Sequence, residues 1–158
     1  MDIQDIILKE IPPRTVIYLR CNGSWRQLPG TLEKLVEYVA KTKMVATGSA
    51  SGIYYNTPNE VSVQDLEWEV FYPILTSKLE STDNKTGVGI RNLPEVKVAS
   101  ILHEGSYRKA GPSYERIEKW IKQQGYKIAG PSEEIYFNVS GISNDEQMLE
   151  IRIPVICA

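Results

Sequence analysis

Two glutamates, Glu69 and Glu150, stand inside runs that otherwise read as β-strands, Leu66–Tyr72 and Met148–Val155. Strand side chains alternate faces, so Leu149, Ile151 and Ile153 share one side while Met148, Glu150 and Arg152 share the other. By the same parity Glu67, Glu69 and Phe71 oppose Leu66, Trp68 and Val70. The neighbouring strands add Tyr54 and Tyr136, because Ile53 and Tyr55, like Ile135 and Phe137, take the parity of the aliphatic, helix-facing side. A carboxylate among aromatic rings suits an organic cation: ring faces attract the positive charge, and the acid supplies the counter-charge in a partly dehydrated site. Desolvation is expected to raise the pKa of Glu150 in the empty site, and a bound cation to lower it again. A carboxyl tuned in this way also serves as a general acid. The plainer readings stand beside this one: Glu150 as a solvated residue or the partner of Arg152, Tyr54 and Tyr136 as half-buried strand tyrosines, and Trp68 as core. Trp25 and Tyr107 each follow a Gly-Ser pair, and either line the mouth of such a site or staple a helix start.

The elements that must position these groups occur twice. Pro12 aligns with Pro94, Gly23-Ser24 with Gly105-Ser106, Arg26 with Arg108, Gly48 with Gly130, Tyr54 with Tyr136 and Asn56 with Asn138. A one-residue slip then pairs Glu69 with Glu150 and Pro73 with Pro154. Internal repetition of this kind predicts a duplicated supersecondary unit. Each copy reads strand, helix, strand, strand. Arg14–Cys21 and Val96–His103 are the first strands. Leu28, Leu32, Leu35, Val36 and Val39 recur at helical spacing in one copy, as do Tyr114, Ile117, Trp120 and Ile121 in the other, where Gly125 supplies a stop. Strands near Ala46–Tyr55 and Leu66–Tyr72, and near Lys127–Phe137 and Met148–Val155, complete the copies as hairpins. The expected fold is therefore α+β: one domain over residues 1–158, with repeat one at about 11–75, an exposed linker at about 76–92 and repeat two at about 93–156. Antiparallel sheets carry their helices on the outer face and leave a ligand cleft between the halves.

Bulk composition narrows the chemistry. With 42% apolar and 24% charged residues and a net charge of −2, the chain can bury a core and offers no basic footprint for nucleic acid or an anionic membrane. Asp2, Gln4 and Asp5 argue against a signal peptide and no apolar run reaches membrane length, so a cytoplasmic location is expected. Cys21 and Cys157 lack metal or redox spacing and read as free thiols. The sole histidine, His103, reads as a surface or turn residue with no metal partner. Neither a serine-hydrolase elbow nor a phosphate loop is present, and no DNA-reading module flanks the repeats.

The ordered fragments His103-Glu104-Gly105-Ser106-Tyr107, Tyr114 through Trp120-Ile121, Gly125-Tyr126, Gly130-Pro131, Glu134-Ile135-Tyr136 and Glu150-Ile151-Arg152-Ile153-Pro154 resemble the GyrI-like family, as does the opening Glu10-Ile11-Pro12-Pro13-Arg14. The resemblance implies a duplicated strand-helix-strand-strand fold. It also implies a cleft that, in multidrug-sensing activators, takes lipophilic aromatic cations through an acid resembling Glu150. Glu150, Tyr136, Tyr54, Glu69, Tyr107, Trp68, Met148 and Phe71 are then the candidate ligand contacts, with no cofactor and no metal. Some members of the family are hydrolases of cyclopropane-containing alkylating compounds, for which Glu150, Glu69 and Tyr54 are the catalytic candidates here. Others inhibit DNA gyrase, so gyrase or a regulator stands as a candidate protein partner.

Overall fold

Strand and helix signals fall where the backbone uses them. A computed structural model describes residues 5–77, 80–137 and 147–158, so Asp2, Gln4 and Asn138 of the sequence reading lie outside the described residues. Among the described residues, eleven strands and two α-helices follow in chain order: β1 (Ile7–Ile11), β2 (Arg14–Asn22), α1 (Leu28–Lys41), β3 (Val45–Ala46), β4 (Ser51–Tyr54), β5 (Glu67–Leu75), β6 (Ser81–Thr82), β7 (Val88–Leu93), β8 (Val96–Glu104), α2 (Gly111–Gln123), β9 (Tyr126–Ile128), β10 (Ser132–Tyr136) and β11 (Met148–Cys157). The fold is α+β and its described strand pairs are antiparallel.

The chain divides into two compact units, Pro13–Pro94 and a second made of Met1–Pro12 with Glu95–Ala158. In the first, β5 pairs with β4, β3 and β2, and β2 with β7, which carries β6 on its other edge. In the second, β11 pairs with β10, β9 and β8, and β8 with β1. Each unit thus runs strand, helix, strand, strand, strand, and each has one further strand at the side of its first. The segment expected to be an exposed linker at about 76–92 corrects that expectation. It contains β6 and most of β7, and Val88, Gly89 and Ile90 are buried.

A 3-10 turn precedes each helix, capped by Ser24 or Ser106, whose hydroxyl accepts from the backbone N–H two residues on. Proline in the first turn suits each helix start, where the missing N–H leaves no bond unmade. Ser113, Ile117 and Ile121 form the buried stripe of α2, each four residues from the next. In α1 the buried residues are Leu32 and Leu35, whereas Val36, expected on the same stripe, is 47% exposed. Gly125 ends the second helix at φ +81°, a conformation that glycine adopts without a Cβ penalty.

Pairing register decides which side chains share a face, because residues directly opposite on antiparallel strands point the same way. Leu32 and Leu35 pack with Ile17, Leu19, Trp68 and Val70, which defines the helix side of the first unit. Tyr54 lies opposite Trp68, and Ile53 opposite Glu69. Tyr136 lies opposite Leu149, and Ile135 opposite Glu150. The parity expected for Tyr54 and Tyr136 is therefore reversed: both tyrosines are on the helix side, while Ile53 and Ile135 accompany the acids. The misreading has a physical cause, since Ser51, Gly52 and Ile53 are all buried and β4 carries no alternation to read.

Candidate functional site

Glu150 lies on the face away from α2 and is a saturated acceptor. Its Oε2 accepts from Lys9 Nζ at 2.8 Å, from Ser100 Oγ at 2.7 Å and from Arg152 Nε at 2.9 Å, and its Oε1 from Arg152 Nη2 at 3.2 Å. Glu133, directly opposite Arg152, adds a 3.8 Å ion pair. Burial alone would push the Glu150 carboxyl up, but the Arg152, Lys9 and Ser100 hydrogen bonds overcome it and hold the group down at about 2. The expectation of a raised pKa in the empty site is thus corrected: the protein itself supplies the counter-charge. Met148, on the same face, is half-buried.

Glu69 is held in a comparable way in the other unit. The residue is fully buried, and Arg91 Nη2 lies 2.7 Å from each carboxylate oxygen. With hydrogen-bond geometry Arg91 donates to Oε2, which also accepts from the Tyr55 hydroxyl at 2.8 Å; among the described residues Oε1 has no hydrogen-bond partner. The Arg91 guanidinium also stacks 4.7 Å over Tyr18, whose ring crosses the sheet above Gly89. A Cβ at Gly89 would meet that ring at 2.6 Å, so the glycine makes the stack possible. Phe71 packs on this face with Val16 and Ile53.

The remaining aromatic candidates gather on the helix sides. In the first unit Trp25 meets Tyr54 edge-on at 5.3 Å, and Tyr54 stacks on Trp68 at 6.4 Å. Trp68 is fully buried and its indole donates to Gly23 O at 2.9 Å, which makes it a core residue. In the second unit Tyr107 tilts against Tyr136 with ring centres 5.2 Å apart. Among the candidate ligand contacts, the structure places Tyr107 with Tyr136 and Tyr54 with Trp68, and it places neither pair on the face of Glu150 or Glu69.

Beside Tyr136 stands a carboxylate that was not among the sequence candidates. Glu134 lies two residues earlier on β10 and so shares the face of Tyr136. The Tyr136 hydroxyl donates to its Oε1 at 2.9 Å, and the Tyr114 hydroxyl, from the first turn of α2, makes a short hydrogen bond to its Oε2. Ser132 Oγ is 3.4 Å from the same Tyr114 oxygen. Burial pushes the Glu134 carboxyl above its ordinary range, and the two tyrosine donors and nearby His103 offset that only in part. Among the described residues no lysine or arginine forms an ion pair with it. The signal was present in the sequence, because an acid and a tyrosine two apart in a strand must face the same way.

His103 also corrects its reading as a surface residue. It is 7% exposed, with Nδ1 2.9 Å from Ser113 Oγ and Nε2 2.9 Å from Ser106 O. Among the described residues no helix is long and apolar enough to cross a membrane.

Comparison with known structures bears on the whole chain. It superposes on EcmrR in a cryo-EM complex with DNA with a TM-score of 0.83 at 18% identity, covering 98% of this chain and 58% of EcmrR. A hydrolase from Listeria innocua gives 0.72 at 10% identity, covering 96% of this chain and 91% of the hydrolase. SAV2435 bound to tetraphenylphosphonium gives 0.61 at 13% identity, covering 96% of this chain and 94% of SAV2435. At these identities the likeness is one of fold. Among curated proteins, none matches the sequence. The sequence model described as GyrI-like small molecule binding domain matches residues 4–156.

Proposed function

This chain belongs to the GyrI-like small-molecule-binding family, and from that premise we propose that it binds lipophilic organic cations at Glu134, under the rings of Tyr107, Tyr114 and Tyr136. One observation carries the choice of acid. Glu69 and Glu150 each pair with a lysine or arginine, whereas Glu134 has hydroxyl donors, a raised pKa and, among the described residues, no lysine or arginine paired with it. A hydrophobic cation entering this site supplies the counter-charge that stabilises the ionised carboxylate against burial, and the tyrosine faces add a cation–π contribution. That SAV2435 is seen with tetraphenylphosphonium supports the ligand class.

Calorimetric titration of tetraphenylphosphonium into wild type, Glu134→Gln and Glu150→Gln tests the assignment. Affinity is expected to fall about tenfold in Glu134→Gln, the loss of one partly desolvated charge contact, and to change little in Glu150→Gln. The reverse ranking transfers the ligand role back to Glu150.

The raised pKa of Glu134 also favours a second reading, turnover of an electrophilic ligand with Glu134 as proton donor. Glu69 and Glu150 suit that role less well, because each is paired with a cation. Incubation with a cyclopropane-containing alkylating agent, followed by mass analysis, separates the readings: a water-added product formed in excess over protein supports turnover, and unchanged compound supports binding alone.

A further inference from the structure

We propose that His103 is a positioning residue for the Glu134 site, locking Tyr107 and Tyr114 into place from behind; the proposal rests on the cation-site reading above. The ring bridges the end of β8 to two different segments: the Ser106 carbonyl, which begins the turn carrying Tyr107, and the Ser113 hydroxyl, in the first turn of α2. A carbonyl only accepts, so Nε2 carries the proton, and in the neutral ring Nδ1 accepts from Ser113 Oγ. Both bonds are 2.9 Å long, and both His103 and Ser113 are buried, so water does not compete well for either partner.

The consequence for the site follows from helix geometry. Tyr114 is the next residue after Ser113, so fixing Ser113 about the helix axis fixes the direction from which Tyr114 reaches Glu134. Fixing the Ser106 turn likewise sets Tyr107 against Tyr136. The Tyr107 turn is held from its other side by Gln147, whose Oε1 accepts from Tyr107 N at 3.1 Å and whose backbone oxygen accepts from Gly105 N at 2.7 Å. His103 thereby ties both flanking rings to one strand end. In the first unit Cys21 and Thr31 stand at the matching positions, 82 residues earlier, and share a side-chain hydrogen bond, but Leu32 stands where Tyr114 would be, so that contact has no tyrosine to aim.

Two variants separate positioning from stability. His103→Leu keeps apolar bulk and loses both bonds; His103→Gln keeps one donor and one acceptor. Each is compared with wild type for tetraphenylphosphonium affinity, melting temperature and the Glu134 titration followed by carboxyl carbon NMR. In His103→Leu, affinity is expected to drop about tenfold and Glu134 to titrate at higher pH than in wild type, because both the nearby ring and a reliably donating Tyr114 are lost. His103→Gln, which lacks the ring too but keeps a donor and an acceptor, should restore affinity to within about threefold and have Glu134 titrate below its position in His103→Leu. A folded His103→Leu that binds as wild type does, with Glu134 titrating where wild type does, overturns the proposal, as does a fall in melting temperature alone. If His103→Leu does not fold, Ser113→Ala, which removes one of the two bonds, must shift the Glu134 titration upward, and an unchanged titration overturns it too. The titration needs no ligand, so failure of the cation reading, shown by Glu134→Gln binding as wild type does, remains distinguishable from failure of the positioning role.

Discussion

The two units run through the same order of elements, yet they differ in what lies under the helix. On the faces away from the helices they agree: Glu69 and Glu150 occupy equivalent strands, and their cations Arg91 and Lys9, 82 residues apart, come from the side strands β7 and β1. On the helix sides they part. Glu134, Tyr114, Ser113 and His103 in one unit correspond in sequence to Gly52, Leu32, Thr31 and Cys21 in the other, 82 residues earlier, while Tyr136 and Tyr54 are common to both. The lesson concerns the meaning of a buried acid. Where the fold supplies a lysine or arginine from the neighbouring strand, the acid fastens that strand, and where it supplies hydroxyl donors without one, the acid is available to something from outside.

The comparison breaks most easily at Glu69. Glu69→Gln leaves the Arg91 guanidinium beside a neutral amide in a fully buried place, and denaturant unfolding is expected to show a loss of about 3 kcal/mol. A loss below about 1 kcal/mol would show that the pair is not a fastening. Gly52→Glu asks whether the first unit can host the missing acid. A Cβ there meets the Tyr54 hydroxyl at 2.9 Å and the carboxylate enters a buried strand where Leu32 stands in place of the second donor, Tyr114, so a loss of about 2 kcal/mol and no gain in cation affinity are expected. Glu150→Gln should lower stability by about 1–2 kcal/mol, less than at Glu69 because Lys9 is 35% exposed. Its pH signature has a definite sign. The Glu150 pKa is depressed in the fold, so its contribution is complete above the ordinary carboxylate range and is lost as pH falls toward about 2. Acid unfolding of the variant should lack that component. Glu134→Gln should act with the opposite sign. A carboxyl raised in the fold weakens stability as pH climbs from the ordinary value through the raised one, so the amide variant should gain stability relative to wild type across that climb.

Much of the fold was legible in the sequence because periodicity is a local property. The helices follow from apolar spacing and glycine or proline punctuation, and β2, β5, β8 and β11 from runs of β-branched residues. What escaped depends on partners far away in the chain. The strand β7 looks like a polar connection until its pairing with β2 is known, since Val88-Gly89-Ile90 is too short to show a period. Tyr54 and Tyr136 were assigned to the wrong face because β4 is buried on both sides, leaving only the register to decide. The run Met148–Val155 shows one of the cations that neutralise its acid, Arg152, which pairs with Glu150 as the plainer reading had it, but Lys9 is 141 positions from Glu150 and nothing local reveals it. Glu134 was within reach, but the first-unit partner that would have drawn attention to it is a glycine.

The pH dependence of tetraphenylphosphonium binding tests the central claim most directly. If Glu134 is the counter-charge, wild-type affinity should fall about tenfold per pH unit below the raised Glu134 titration and level off above it, and the slope should vanish in Glu134→Gln. An affinity independent of pH from about 4 to about 8 in wild type, or an unchanged slope in Glu134→Gln, would contradict the account.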